Sequence, residues 1–337
     1  MTILPTRRVV MTGMAAVAGV TLLKAAPAYA EADPLPETTT VRLPRWLGGA
    51  YCWAAEYIAG ELIRADGIPN VHFVQGDAEF DQAVWIAKGH TDFSVNFPPN
   101  HISLVDAGVP IKVLCGLHSG CLELIANDTV RTIAELKGKR VGVPGLGSSS
   151  HVLLSLMAAY VGLDPKEIEW AIIDEGSAAD AFERGSVDAF LGGPPAPQDL
   201  RRRKIGHTVL NTTTDSPWSQ HFCCMVCGSV TYVSRYPVAT KRILRAILKA
   251  ADLCVSQPSW VAQQMVERGF VPNYEYALQT LSDIRYDRWR DFDAEDSLRF
   301  YALRMQEIGM IKASPREILA KGADWRILNE LKRELKT

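Results

Sequence analysis

Two separate stretches of this chain carry one pattern, and that repeat limits the fold more than any other feature. Lys88-Gly89-His90-Thr91-Asp92-Phe93-Ser94-Val95-Asn96-Phe97-Pro98-Pro99 aligns without a gap on Arg184-Gly185-Ser186-Val187-Asp188-Ala189-Phe190-Leu191-Gly192-Gly193-Pro194-Pro195. Each reads as a cation, Gly, two residues, Asp, a short β-like span with its exit, and Pro-Pro. An apparent helix precedes each copy (Phe80, Ala83, Val84, Ala87; then Ala178, Ala181, Phe182), and a strand precedes each helix (Val71–Val74; Trp170–Ile173). The glycines read as helix C-caps. The prolines end a strand and open the next element. Repeated strand–helix–strand units imply parallel sheets with right-handed crossovers. The copies are too few and too far apart for a solenoid, so two similar α/β lobes are expected. In open parallel sheets ligands bind beyond the carboxyl ends of the strands. The loops Trp46–Tyr51, Asn96–Pro99, Gly145–His151, Glu175–Ser177 and Gly192–Pro195 should lie there, lining one cleft if the lobes face each other.

The stretch Arg140–His151 sharpens that expectation. Val141 and Val143 suggest a strand; Gly142, Pro144, Gly145 and Gly147 force a loop; Ser148, Ser149 and Ser150 open a helix carried on by Val152, Leu153, Leu156 and Met157. The first N–H groups of a helix lack intrahelical partners and carry partial positive charge, so such an end can hold a carboxylate, sulfonate, nitrate or phosphate. The plainer role for one of these serines is an N-cap. The glycine spacing is that of a Walker A loop, but Ser148 stands where the phosphate-reaching lysine is needed.

Composition excludes several classes. The chain has 337 residues, 22% of them charged, and a net charge of −2. That balance gives no basic excess for nucleic acid. Thr6-Arg7-Arg8, an apolar small-residue run from Ala15 to Leu23, and Ala28-Tyr29-Ala30 read as a twin-arginine export signal over residues 1–30, cleaved near Ala30. A periplasmic location is the expectation. Seven cysteines in an oxidising compartment leave at least one unpaired within the chain. Cys115 and Cys121 are close enough in sequence to bridge. Cys223-Cys224-Met225-Val226-Cys227 reads as small buried hydrophobes in a strand rather than a metal site. The scattered histidines form no metal-ligand set by spacing, so no metal is expected.

The remaining elements follow in order. Val41–Leu43 suggests a first strand, and Cys52–Arg64 a helix. Arg201–Lys204 reads as a solvated charge run closing a helix. Beyond Val233 the periodicity predicts only helices: Val238–Ser256, Ser259–Gly269, Tyr274–Leu281, Ala294–Ile308, Pro315–Lys321 and Trp325–Lys336.

With these residues in hand the chain resembles periplasmic substrate-binding proteins of the nitrate/sulfonate/taurine/thiamine-precursor branch of ABC importers. Ile133-Ala134-Glu135-Leu136-Lys137-Gly138-Lys139-Arg140-Val141-Gly142-Val143, Gly147-Ser148-Ser149-Ser150-His151, Gly162-Leu163-Asp164-Pro165 and the Gly-x-x-Asp repeat carry the resemblance. It implies a type II periplasmic-binding-protein fold: two α/β lobes with mostly parallel sheets, joined by two crossovers near Glu123–Asn127 and Gly228–Ser234. Lobe 1 would comprise 31–125 and the helical 231–337, and lobe 2 126–230. It also implies a monomer that closes on a small organic anion or heterocycle and delivers it to a membrane permease and its ATPase. By the same analogy Trp46, Asn96, Phe97, Ser148, Ser149, Ser150, His151, Gly192 and Gly193 are the candidate ligand contacts. The superfamily also contains a synthase of the thiamine pyrimidine precursor, whose cysteine cluster Phe222–Cys227 resembles in place. Asn96 stands at the matching position of that synthase's cofactor lysine, and an amide forms no Schiff base. No catalysis and no cofactor are therefore expected. A periplasmic ligand sensor is the other alternative.

Overall fold

The computed structural model describes residues 34–46, 50–75, 83–174 and 176–335. The expected export signal lies outside the described residues, as do Phe80, Glu175 and the loop residues 47–49.

In the first lobe β1 (Thr40–Arg45) leads through α1 (Ala54–Ala65) to β2 (Asn70–Gln75), and the two strands pair in parallel. Next come α2 (Ala83–Ala87), β3 (Phe93–Asn96), α3 (Pro98–Asp106) and β4 (Ile111–His118). The chain then enters the second lobe: β5 (Glu123–Ala126), β6 (Arg140–Val143), α4 (Ser149–Tyr160), β7 (Glu169–Ile172), α5 (Ala178–Glu183), β8 (Ala189–Gly192), α6 (Ala196–Arg203) and β9 (His207–Asn211). It returns as β10 (Cys224–Ser229). The second sheet has the order β7-β6-β8-β5-β9, and the first has β2 beside β1 and then β3-β10-β4. The Asp92 N–H, donating to the Arg42 carbonyl at 2.9 Å, ties β1 to β3. The order is thus the same in both lobes. In each, one strand arrives by crossover and runs antiparallel to its neighbours: β10 between β3 and β4, β5 between β8 and β9.

The crossovers lie between His118 and Glu123 and between Asn211 and Cys224, one strand earlier than the expected Glu123–Asn127 and Gly228–Ser234. β5 therefore pairs wholly within the second sheet and β10 wholly within the first. Both are interior strands buried on both faces, so neither shows the alternation that marks a half-exposed strand. The crossovers touch each other. Thr212 Oγ1 accepts from the N–H groups of Cys121 (3.2 Å) and Leu122 (3.0 Å).

The repeat has a structural cause. Asp92 accepts the Arg42 N–H at 2.8 Å and pairs with its guanidinium at 2.6 Å, while Arg42 also donates to the Gly89 carbonyl at 2.7 Å. In the second lobe Asp188 accepts the Arg140 N–H at 2.9 Å, and Arg140 donates to the Gly185 carbonyl at 3.0 Å. The motif fastens a helix end to the neighbouring strand in each lobe. Burial opposes the Asp188 charge, yet the Arg140 N–H and guanidinium hold its carboxyl below the usual range. Asp188→Ala is expected to cost about 1–3 kcal/mol, since it orphans hydrogen bonds to a charged group that is only partly exposed. Urea unfolding checks this; an unchanged midpoint would refute the fastening role.

The tail consists of helices: α7 (Val230–Arg235), α8 (Pro237–Ser256), α9 (Pro258–Glu267), α10 (Tyr274–Asp283), α11 (Ala294–Glu307), α12 (Pro315–Gly322) and α13 (Arg326–Glu334). Ala239, Ile243, Ala246, Ile247, Ala250 and Cys254 give α8 a small apolar face, fully buried, and α8 lies along α1. The Asp106 carboxylate accepts the N–H groups of Lys312 (3.2 Å) and Ala313 (2.7 Å), and the Asp324 N–H donates to the Val113 carbonyl at 3.0 Å. The tail thus packs on the first lobe. α10 also reaches the second: Tyr276 Oη donates to Asp199 at 2.5 Å, and Gln198 to Asp283 at 3.1 Å. Arg201 pairs with Glu123 and Asp283, so the expected solvated run Arg201–Lys204 is in part an inter-lobe latch. No helix of the described residues is long and apolar enough to cross a membrane.

Candidate functional site

The strand ends of the first sheet and the α4 end of the second lobe meet along one seam. Asn96 closes β3 and His118 closes β4, while Cys224 opens the antiparallel β10 at the same edge. The first turns of α1 and α3 add Glu56, Asn100 and His101, all buried. From the second lobe Ser148 caps α4, its hydroxyl accepting the His151 N–H at 3.4 Å. Ser149 Oγ accepts from Asn100 Nδ2 at 2.9 Å. That bond joins the lobes and shows that the serine turn faces the first lobe rather than open solvent. Ser150 Oγ lies 3.5 Å from Ser148 Oγ.

The other candidates fall in different surroundings. Asn96 is buried, and its Oδ1 accepts the Phe97 N–H at 2.8 Å; Phe97 is half-buried at the start of α3. Trp46 is half-buried and its ring stacks on Trp85, centroids 6.5 Å apart, while its backbone N–H donates to Tyr57 Oη. Gly192 faces Glu123 across the β5–β8 pair, and a side chain there would enter the Phe190 ring. Gly193 borders the first crossover, where Leu122 and the Cys121 carbonyl are its neighbours. His151 differs from the rest. Its Nδ1 accepts the Gly147 N–H at 3.0 Å, and its ring sits edge-on to Trp170 at 4.7 Å. It props its own loop instead of reaching the first lobe, and burial keeps its pKa below the usual value.

The seam holds polar groups that spacing alone does not assemble. Burial, then proximity to Cys224, pushes the Glu56 carboxyl well above the usual range. Burial pushes His101 down to about 4. Glu56 therefore holds its proton more tightly than a free carboxyl does, and His101 stands uncharged at neutral pH. The Glu56 oxygens, the His101 ring nitrogens and Asn100 Oδ1 have no hydrogen-bond partner among the described residues. Such groups cost free energy unless something bonds to them. A glutamate within the apolar run Ala54–Ala59 was the one sequence signal for them.

The cysteines gather there too. Cys121 Sγ lies 2.9 Å from Cys223 Sγ, whereas Cys115 is buried within β4, so Cys115 and Cys121 are not a pair. Cys52, His118, Cys121 and Cys224 bring their ligand atoms within 4.8 Å of one another. Reading Cys223–Cys227 as buried hydrophobes holds for burial, since all three cysteines are buried. It overlooks Cys52, His118 and Cys121, which distant chain segments supply.

Residues 65–260 match the family model described as NMT1/THI5 like. The chain belongs to that family. Among solved structures it is similar to the periplasmic nitrate-binding protein NrtA from Synechocystis PCC 6803, with a TM-score of 0.74, 19% identity and 90% of each chain covered. It is also similar to the alkanesulfonate-binding protein SsuA from Xanthomonas axonopodis pv. citri bound to MOPS. There the TM-score is 0.68 and the identity 17%, over 86% of this chain and 99% of that one. These likenesses give this NMT1/THI5-like chain the periplasmic-binding-protein fold. Among curated proteins it is 22% identical over 158 residues to the taurine-binding periplasmic protein of Escherichia coli (strain K12), covering 46% of this chain and 48% of that protein. A protein of Brucella abortus (strain 2308), described only as a binding protein, is 26% identical over 135 residues, 40% of this chain and 42% of its own length. The chain thus spans less than half the length of these curated relatives.

Proposed function

We propose that this chain is the periplasmic solute-binding component of an ABC import system. It captures a small organic anion or heterocycle between its lobes and, as a monomer, presents it to a membrane permease with its ATPase. The observation that carries the reading is the Asn100–Ser149 bond, which joins a helix turn of one lobe to the helix mouth of the other. Relatives whose names cite nitrate, alkanesulfonate and taurine support the solute class. The chemistry of the wall narrows it. Glu56, whose proton is held above the usual carboxylate range, donates while it keeps that proton; a neutral His101 donates and accepts, and the Asn100 carbonyl accepts. These groups suit a heterocycle with its own donors and acceptors, or a singly charged anion held by Ser148–Ser150 and the α4 N–H groups. They offer little to a multiply charged ligand.

A thermal-shift screen tests this with taurine, an alkanesulfonate, nitrate, an aromatic carboxylate and a hydroxymethylpyrimidine. A ligand that binds only the folded chain raises Tm in a saturable way. One class is expected to do so, with Ser149→Ala weakening it about tenfold, the loss of one hydrogen bond. No shift with any of the five, or an unchanged affinity in Ser149→Ala, would overturn the proposal.

A further inference from the structure

We propose that Cys52, His118, Cys121 and Cys224 form a binding site for one thiophilic divalent ion, zinc being the best fit, at the base of the inter-lobe seam. The four ligand atoms lie within 4.8 Å of one another. Donors at 2.0–2.3 Å from a tetrahedral zinc sit about 3.3–3.8 Å apart, so the widest pair need close by no more than about 1.5 Å. Three cysteines and one histidine make a set zinc favours.

The histidine is already oriented. Its Nδ1 lies 3.2 Å from the Gly120 carbonyl, which fixes the proton there. That leaves Nε2, buried and without a hydrogen-bond partner among the described residues, as the ligand atom. The backbones bearing the sulfurs are tied down as well. Tyr286 Oη donates to the Cys52 carbonyl at 2.8 Å, Thr212 Oγ1 accepts the Cys121 N–H at 3.2 Å, and the Cys223 N–H donates to the His118 carbonyl at 2.9 Å. Ligands held this way lose little conformational freedom on binding.

The thiol chemistry agrees. Burial opposes charge on Cys224, yet contacts from Cys121, Cys223 and Cys52, with His118 nearby, hold its thiol well below the usual range. Burial drives Cys121 the other way. The incoming cation draws the thiol protons off to solvent. The ion would connect the first lobe, through Cys52, His118 and Cys224, to the first crossover through Cys121. It would stiffen the strap about which the lobes move. None of this depends on which solute the seam takes.

The test titrates cobalt(II) alone into reduced, metal-stripped protein without oxygen. One equivalent is expected to give a thiolate-to-cobalt charge-transfer band and visible bands of tetrahedral intensity, both erased by one equivalent of zinc. Cys224→Ser and His118→Ala should weaken binding at least tenfold, while Cys115→Ser and Cys254→Ser, buried cysteines outside the cluster, should not. Should the cluster variants fail to fold, alkylation of the wild-type chain decides: zinc should shield Cys52, Cys121 and Cys224 together. Octahedral cobalt spectra, unshielded thiols, or a Cys121–Cys223 disulfide in protein isolated without reductant would each overturn the proposal. The solute screen runs on metal-free protein, so a failure of either idea is separable from the other.

Discussion

Gly120→Ala is expected to lower the unfolding free energy by about 2–5 kcal/mol, clearly more than Gly147→Ala. Both glycines have positive φ, +68° and +87°. An alanine in that region costs about 1–2 kcal/mol at either place. The difference lies in the space. A Cβ on Gly147 meets nothing within 4 Å, whereas one on Gly120 would stand 2.5 Å from the Thr213 Cα. That neighbour is backbone and cannot rotate aside, so an overpacking term of about 1–3 kcal/mol is added. The location gives the loss its meaning. Gly120 belongs to the first crossover and Thr213 to the second, so these two connections are pressed together at the turning point of the lobes. Urea unfolding of both variants, with m unchanged, measures the difference. Equal losses would show that the crossovers can part at no cost, and the picture of a tightly paired hinge would fall.

The contact at Gly120 was not legible in the sequence, and the reason is general. Local patterns report the period of a segment and the chemistry of its ends. The Gly-x-x-Asp-to-Pro-Pro repeat therefore revealed two like lobes, and the Gly147–Ser150 run revealed a helix mouth, which Asn100 proves to face. The tail helices showed themselves by the same means: Pro237–Ser256 was expected at Val238–Ser256. The crossovers were expected one strand late, at Glu123–Asn127 and Gly228–Ser234, because a strand buried on both faces has no alternation to mark where it belongs. The polar nest was harder still. Glu56, His101 and the His118–Cys121 turn lie in separate stretches of the chain, and only the pairing of distant strands brings them to one edge. His151, by contrast, lies beside the serines in sequence yet turns to Trp170 in space, because adjacent helix positions point about 100° apart.

Glu56→Gln is expected to remove an alkaline loss of stability that this carboxyl imposes on the wild-type chain. In the unfolded chain this carboxyl ionises near 4.5; in the fold, burial and the neighbouring Cys224 keep its proton well above that. Between those two points the folded state binds more protons than the unfolded state. The contribution is therefore fully present below about 4.5 and fades as pH rises through the folded value, at up to about 1.4 kcal/mol per pH unit. His101 acts with the opposite sign. Its folded value is about 4 against 6.5 unfolded, so its contribution is present above 6.5 and lost as pH falls toward 4. From about 4.5 to 6.5 the two slopes oppose and the curve should be nearly flat. Above 6.5 the His101 slope ends while that of Glu56 persists, set against the opposite slope of Cys224, whose thiol is held below its usual range; the difference between wild type and Glu56→Gln therefore carries the reading. Glutamine keeps the shape and a donor but cannot ionise, so the variant should lack the Glu56 slope and exceed the wild type at pH 8. His101→Gln should instead level the acid side. Unfolding midpoints in urea at pH 5, 6.5 and 8 for the three proteins give the answer. Parallel curves for wild type and Glu56→Gln would mean that the carboxyl ionises freely in the fold. The uncharged wall on which the solute class was narrowed would then have to be given up.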